Sequence, residues 1–197
     1  MNVSVGYKSP GFDVNDVGFQ QRADEIPQNA WFQIRRETPG KYARSGYLNF
    51  NQWSGFNFGG DRLQLGGNFN THWQFQNLWS AGGGVNTNAR RFDDRRTRGG
   101  PGGYVEPYVS TWQYVGTNDR RSVSVNWNSS FGGGGEGRFF EFQPSVLLRP
   151  VSSLSTEVGF NYSRNVDESQ WVDEVTAPGQ THYVFGNLSQ ETSSLTM

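Results

Sequence analysis

A regular alternation of apolar and polar residues runs through residues 122–163, and it constrains the fold more than any other feature of the chain. Successive side chains of a β-strand point to opposite faces, so a period of two indicates strands. Three alternating segments occur here, separated by GGGGEG at 132–137 and by PVSS at 150–153. This pattern predicts antiparallel strands joined by turns, with one face towards an apolar environment and the other towards water.

The composition is polar, yet it differs from that of a disordered chain. Hydrophobic residues make up 34% of the 197 residues and the mean hydropathy is −0.72, but aromatic residues reach 15%. This many aromatic residues, with 26 glycines, is typical of twisted strands joined by tight turns. The length suits one domain. A net charge of −1 gives no long-range attraction to nucleic acid, and the lack of cysteine excludes disulfides and thiolate metal sites.

Membrane-spanning helices are excluded, because no apolar run approaches the roughly 20 residues that such a helix requires. Any spanning would be done by strands of about 9–11 residues. The first residues, MNVSVGY, lack the basic start and apolar centre of a signal peptide. We therefore expect either that Met1 is not the natural start or that the protein is not exported.

The period of two predicts about ten strands. Their expected ranges are 2–7, 29–37, 43–58, 63–75, 78–91, 104–116, 122–131, 138–148, 154–175 and from about 181 onwards. Alternate connections, at 8–28, 59–62, 92–103, 131–138 and 176–181, include the long ones, whereas those at 38–42, 75–78, 116–121 and 150–153 are short. This asymmetry is typical of outer-membrane barrels. We expect 8–28 and 92–103 to lie outside the cell, the latter as a solvated loop.

The predicted fold is all-β: an antiparallel up-and-down transmembrane β-barrel, or a segment of one, of about ten strands. The polar residues expected to face the lumen are Arg35, Asn49, Asn68, Asn70, His72, Asn86, Asn88, Arg90, Asn126, Asn128, Glu141 and Glu157. The residues expected to face lipid are Leu63, Leu65, Phe69, Val123, Val125, Trp127, Phe140, Phe142, Val146, Leu148, Val158 and Phe160. A soluble lipocalin-like barrel with the faces reversed is the alternative.

Two strands are less regular. In 104–116 the apolar face could hold either Tyr108, Trp112 and Tyr114 or the alternating set Val109, Thr111 and Val115. In 138–148, Pro144 removes a donor from the hydrogen-bond ladder, which predicts a β-bulge there.

The stretches GYKSPGFDVNDVGFQQRADE (6–25), RRFDDRRTRGGP (90–101) and THYVFGNLSQETSSLT (181–196) resemble the bacterial family known as domain of unknown function 5916. The resemblance covers almost the whole chain. Members look like secreted proteins in which a domain similar to family-nine carbohydrate-binding modules precedes an outer-membrane β-barrel. The resemblance implies that residues 1–197 are a single barrel domain, a segment of a larger barrel, without the carbohydrate-binding-like part.

Metal and catalytic sites are not predicted. Asp93 and Asp94 offer hard oxygen ligands, but the nearby arginines favour ion pairing in a solvated loop. The first long connection has acidic residues whose spacing matches no EF-hand loop, namely Asp13, Asp16, Asp24 and Glu25. The only two histidines, His72 and His182, lie on separate predicted strands and form no metal motif, and no cofactor is expected.

No motif of a hydrolase, metalloprotease or nucleotide-binding enzyme occurs in the chain. Glu141 and Glu157, on adjacent predicted strands, could form a glycosidase-like carboxylate pair. Charges in a barrel lumen more often tune solvation or pair with arginines such as Arg35 and Arg90. We therefore expect no enzymatic activity.

The inward polar residues favour a pore or docking barrel for neutral polar solutes such as oligosaccharides. The competing interpretation is a membrane anchor whose narrow lumen is filled by Tyr47, Trp53 and Arg90. A third is a soluble ligand-binding barrel. The expected location is the bacterial outer membrane. The expected partners are the lipid bilayer, an oligosaccharide and the barrel assembly machinery, and no nucleic acid.

Overall fold

The computed structural model describes residues 1–14, 18 and 22–197. Twelve strands occur in this part of the chain: β1 (Asn2–Val5), β2 (Ile26–Arg36), β3 (Ala43–Phe56), β4 (Arg62–Phe75), β5 (Ser80–Asn88), β6 (Arg91–Asp93), β7 (Gly103–Val105), β8 (Tyr108–Gly116), β9 (Val123–Gly134), β10 (Gly137–Val151), β11 (Leu154–Ala177) and β12 (Gln180–Thr196). The described residues contain no helix that is long and apolar enough to cross a membrane.

Ten of these strands form one antiparallel sheet in the order β1-β2-β3-β4-β5-β8-β9-β10-β11-β12. Each strand of this sheet pairs with the next one along the chain, except that β5 pairs with β8. The two strands between them in sequence, β6 and β7, form a separate two-stranded sheet. The predicted all-β, antiparallel, up-and-down fold of about ten strands is confirmed. The sheet is open, because β1 and β12 lie at opposite edges and do not pair with each other. The sequence left open whether the end strands meet, and in this structure they do not close a barrel.

The two faces of the sheet differ in chemistry. Directly opposite residues of paired strands have side chains on the same face. One face, here called the polar face, carries the row Asn51, Asn68, Asn86 and Ser110. The other, the apolar face, carries the row Phe32, Phe50, Phe69, Val85, Thr111, Phe131 and Phe140. No second layer covers either face within the described residues, where Leu63 is the one buried hydrophobic residue.

The connections differ partly from those expected. Residues 6–25 and 89–107 separate strands of the main sheet and are long, as predicted. The glycine-rich run at 131–138 is instead mostly strand, because β9 continues to Gly134 and β10 begins at Gly137. The turn is only Gly135 and Glu136. Glycine is needed at position 134, because a Cβ there would meet the backbone carbonyl oxygen of Pro107.

The segment 92–103 is not a plain solvated loop, and that prediction is wrong. Arg91–Asp93 and Gly103–Val105 pair as a short hairpin, and the rings of Phe92 and Tyr104 meet edge to face at 5.5 Å. Thr97 is buried, and its hydroxyl donates to the carbonyl of Pro101 at 2.8 Å. The residues between the two strands are therefore folded. We call residues 91–105 the cap.

The cap is fixed to neighbouring elements by its charged residues. The Arg96 guanidinium pairs with Glu136 at 2.5 Å, and Asp94 pairs with Arg22 of the first connection. Arg98 lies over the ring of Trp171 at 4.5 Å, and Arg96 lies over Phe185 at 5.3 Å. Cation–π contacts of this kind stabilise a loop on an aromatic surface.

The aromatic partners of the cap belong to a hairpin that projects beyond the sheet. β10 pairs with β11 only as far as Gly137 and Asp167, whereas β11 and β12 stay paired to Ala177 and Gln180. Ten residues of β11 (168–177) and eight of β12 (180–187) therefore extend past the rim, which corresponds to about 26–33 Å. This confirms the prediction that the strand from Leu154 runs on to residue 175.

Pro144 is accommodated without the predicted bulge. It lies opposite Trp127 of β9 in an unbroken register. On the other side, the pairing of β10 with β11 is interrupted between Phe142 and Ser145. Because proline lacks an N–H, the missing donor costs one rung towards β11 rather than an extra residue in the strand.

Cysteine cross-linking tests the pairing of β5 with β8 across the cap. The chain has no native cysteine, and Val85 lies opposite Thr111. Opposite Cα atoms are about 4.5–5.5 Å apart, which a disulfide can bridge. We expect V85C with T111C to form an intramolecular disulfide on mild oxidation, measured by peptide mass mapping. The control, V85C with V115C, should stay reduced; equal cross-linking in the control would contradict the register.

Candidate ligand-binding face

The amide side chains of the polar face are joined by hydrogen bonds that run across the strands. In one row, Asn51 Nδ2 donates to Asn68 Oδ1 at 3.0 Å, and Asn68 Nδ2 donates to Asn86 Oδ1 at 2.6 Å. Asn86 Nδ2 then donates to Ser110 Oγ at 3.3 Å. This row connects β3, β4, β5 and β8. An asparagine can both donate and accept, so Asn68 and Asn86 each link the strands on either side of them.

A second row lies next to the first on the same face. Gln33 Nε2 donates to Asn49 Oδ1 at 2.8 Å, and Asn49 Nδ2 donates to Asn70 Oδ1 at 2.7 Å. Asn70 Nδ2 in turn donates to Asn68 Oδ1, which joins the two rows. The result is one amide network across β2, β3, β4, β5 and β8. We call it the amide network.

Aromatic rings of the polar face lie over glycines of the neighbouring strand. A side chain at Gly66 would come within 2.6 Å of the Trp53 ring, and one at Gly82 would come within 2.5 Å of the Tyr114 ring. Gly84 similarly leaves room for the indole nitrogen of Trp112. The glycines allow large rings to lie close to the sheet. This explains why the polar face of β4 and β5 carries glycines beside the asparagines.

A cluster of rings adjoins the amide network. His72 stacks on Tyr47 at 4.8 Å and lies 5.3 Å from Trp112. His72 Nδ1 is 2.9 Å from the hydroxyl oxygen of Tyr114, and the Trp112 and Tyr114 rings are parallel at 6.3 Å. This hydrogen bond gives His72 Nδ1 and the Tyr114 hydroxyl a partner within the cluster. The cluster therefore acts as a fixed wall beside the amides.

A concave cavity of about 480 Å³ lies over this part of the polar face. It reaches from β1 to β8, which shows that the sheet curves towards the polar side. Amide and indole groups dominate its lining: Asn2, Asn29, Ala30, Trp31, Asn51, Gln52, Trp53, Asn68, Asn70, Asn86 and Trp112. Volumes of about 300–1,000 Å³ are typical of small-molecule sites. No charged side chain lines this cavity within the described part of the chain.

The register shows where the residues predicted to face the lumen lie. Eleven of them occupy one face of the main sheet: Arg35, Asn49, Asn68, Asn70, His72, Asn86, Asn88, Asn126, Asn128, Glu141 and Glu157. The structure brings Asn49, Asn68, Asn70 and Asn86 together in the amide network. Arg90 lies beyond β5 and outside the sheet strands.

The arginines expected to pair with lumen carboxylates have other partners. Arg35 pairs with Glu37 at 2.5 Å, and Arg90 pairs with Glu106 at 3.1 Å and lies over the Tyr104 ring at 4.1 Å. Both pairs form between residues close to the strand ends, because these arginines lie near the rims. Arg90 therefore cannot fill the middle of the polar face together with Tyr47 and Trp53, as the anchor interpretation expected.

The residues predicted to face lipid lie on the apolar face, with one difference. Those placed there by the register are Leu65, Phe69, Val123, Val125, Trp127, Phe140, Phe142, Val146, Leu148, Val158 and Phe160. Leu63 is only 7% exposed and lies at the bulge where β3 and β4 change register, between Gly55 and Phe56. Its side chain is therefore covered by neighbouring residues and is not part of the open apolar face.

A paired-carboxylate site does not form between Glu141 and Glu157. Glu157 lies opposite Leu147, six residues along β10 from Glu141, so the two carboxylates are about 20 Å apart. Glycosidases hold their two carboxylates about 5–10 Å apart. The Glu141 carboxylate instead accepts a hydrogen bond from Ser130 Oγ at 2.9 Å.

The acidic residues considered for calcium are used elsewhere. Asp24 Oδ1 accepts from the backbone N–H of Phe58 at 2.9 Å, and Glu25 pairs with Lys8 at 2.6 Å. Asp16 lies outside the described residues. In the part of the chain that is described, no group of three or more His, Asp or Glu side chains could hold a metal ion.

Several residues of the cavity were not among the predicted site residues. Trp31 and Asn51 follow the same alternation as their predicted neighbours, so parity alone could have placed them on the polar face. In β8 the alternation was ambiguous, and only the register with Asn86 and Asn88 places Tyr108, Ser110, Trp112 and Tyr114 on the polar face.

The family described as "Domain of unknown function (DUF5916)" matches residues 1–197, which is the whole chain. The chain belongs to this family. No curated protein and no solved structure matches the chain.

Replacing Asn68 tests whether the amide network stabilises the sheet. N68A leaves donors on Asn51 and Asn70 and an acceptor on Asn86 without their partner. We expect a loss of about 1–3 kcal/mol in the free energy of unfolding, measured by chemical denaturation in detergent. The matched control is N126A, on the same face but outside the network, for which we expect a loss below about 0.5 kcal/mol. Equal losses would show that the network adds nothing.

Proposed function

We propose that this member of the DUF5916 family is a strand segment of a bacterial outer-membrane β-barrel whose polar face binds or passes neutral polar solutes such as oligosaccharides. The observation that carries the proposal is the cavity in which the amide network is flanked by Trp31, Trp53 and Trp112. Amides offer hydrogen bonds to hydroxyl groups, and indole rings offer flat apolar faces to sugar rings. Both features suit a neutral carbohydrate.

The opposite face of the sheet supports a membrane location. Large apolar side chains there are open, among them Phe32, Phe50, Phe69, Phe140 and Phe160. A contiguous apolar surface of this kind marks an interaction with a membrane or another apolar partner. The strands are long enough to span, because β3 and β4 have 14 residues each and β10 has 15, against the about 9–11 that a tilted strand needs. Insertion of such a barrel would require the barrel assembly machinery.

The charge on the polar face favours neutral solutes over ions. The amide network occupies its centre, whereas Arg35 and Arg90 near the rims are already paired with Glu37 and Glu106. Selective ion pores are commonly lined by rings of backbone carbonyls or of charged side chains. The N-terminal neighbour that the family resemblance implies, a carbohydrate-binding-like domain, points in the same direction by analogy.

A membrane anchor without a solute is the second candidate. The ring cluster of Tyr47, His72, Trp112 and Tyr114 favours it, because these side chains fill part of the polar face and satisfy one another. An anchor needs a filled interior but no exposed indole faces. The two candidates therefore differ in whether the tryptophans of the cavity serve binding or only packing.

Solubility tests the membrane location. The open apolar face should make the chain dependent on detergent or lipid, because its phenylalanines would otherwise contact water. We expect a monodisperse species by size-exclusion chromatography in detergent and aggregation when the detergent is removed. A monodisperse monomer in plain buffer would refute the membrane location and leave the soluble binding barrel.

Tryptophan substitutions test solute binding. We expect W53A and W112A each to weaken the binding of a neutral linear glucan such as maltohexaose about tenfold, because each removes a flat apolar surface worth about 1.4 kcal/mol. Isothermal titration calorimetry in detergent would measure this. The matched control is W127A on the apolar face, which should keep the affinity of the unsubstituted chain. If the unsubstituted chain binds no glucan of any type, solute binding is refuted and the membrane anchor is the remaining candidate.

A further inference from the structure

Two arginines on neighbouring strands of the sheet lie on the apolar face near one rim. Arg138 of β10 is opposite Val166, and Arg164 of β11 is opposite Phe140. A cavity of about 380 Å³ adjoins both, and its remaining lining is mainly apolar: Phe131, Gly132, Phe139, Phe140 and Val166. Both arginine side chains are exposed. This combination of cations and aromatic walls differs from the amide-lined cavity on the other face.

The two arginines are not held in ion pairs within the described residues, although Glu191 lies opposite Arg164. Neither of them forms an ion pair within 4.0 Å with a residue that the structure describes. A cation on a lipid-facing surface is costly in the hydrocarbon and is tolerated near the interface, where anionic headgroups lie. Arg138 is two residues from the turn at Glu136 and thus lies at the rim of the sheet.

The spacing of the two arginines suits a single anion. Arg138 and Arg164 occupy diagonal positions across the β10–β11 pair, for which Cα atoms are about 7–8 Å apart. Two guanidinium groups at this spacing can converge on one phosphate, and each can donate two parallel hydrogen bonds to it. The rings of Phe131 and Phe140 are beside them on the same face and can contact an acyl chain.

We infer that Arg138 and Arg164 form a binding site for the phosphorylated headgroup of a membrane lipid, with Phe131 and Phe140 contacting its acyl chain. The inference rests on the membrane location proposed above. Glu191 of β12 lies opposite Arg164 on the same face, and its carboxylate opposes the binding of an anion there. The site therefore combines an attractive pair of cations with one repulsive group at the edge of the sheet.

The test reconstitutes the chain in vesicles of phosphatidylcholine with one-tenth phosphatidic acid and counts the retained lipids by native mass spectrometry. We expect the unsubstituted chain to retain phosphatidic acid in preference to phosphatidylcholine. This preference should fall roughly tenfold in R138Q/R164Q and rise in E191Q. The matched control R120Q/R121Q removes the same charge at the opposite rim and should behave as the unsubstituted chain. Circular dichroism would verify that each variant folds, and E191Q keeps the test decisive if the double variant does not.

The outcomes separate this inference from the proposed function. Incorporation into phosphatidylcholine vesicles without any preference for phosphatidic acid would overturn the lipid site and leave the membrane location intact. An equal loss in R120Q/R121Q would also overturn it, because the effect would then be one of net charge. Failure to enter vesicles of either composition would overturn the proposed membrane location and, with it, the lipid site.

Discussion

The main sheet is one layer thick, and the rest of the structure depends on this. Backbone N–H and C=O groups are satisfied by the ladder between neighbouring strands. In the described residues no second layer covers either face, so apolar side chains have no interior in which to be buried. Each face must instead match its own surroundings. An apolar face and a polar face then require side chains that alternate along every strand, which is the period of two seen in the sequence.

The sequence predicted the strands well where local information decides. Alternation around Asn68 and Phe69 is unambiguous, and the turns are marked by glycine and proline. Prediction from the sequence failed where contacts between residues far apart in the chain determine the structure. The cap is rich in glycine and arginine, which locally indicates a solvated loop, but its order comes from Glu136, Trp171 and Phe185, which lie far along the chain. The open edges are equally invisible to local patterns, because closure depends on whether β1 and β12 meet.

The candidate site was predictable in its chemistry but not in its arrangement. Parity along β3 and β4 places the asparagines on one face, but only the register shows that Asn49 meets Asn70 while Asn51 meets Asn68. A shift of one residue between neighbouring strands would separate these pairs. The aromatic side chains were harder to predict, because a tryptophan suits either face. The register places Trp112 on the polar face, where Gly84 leaves room for its ring, whereas Trp127 lies on the apolar face opposite Pro144.

The amide network limits how a solute can bind to the polar face. Its asparagines already donate to and accept from one another, so a hydroxyl group of a solute must replace an existing hydrogen bond rather than satisfy a free group. Such an exchange contributes little net free energy, about 0.5–1.5 kcal/mol for each bond at most. A solute that contacts the ring faces of the cavity tryptophans replaces water there and breaks no hydrogen bond within the protein. Affinity on this face should therefore depend mainly on the tryptophans, while the asparagines determine which arrangement of hydroxyl groups fits.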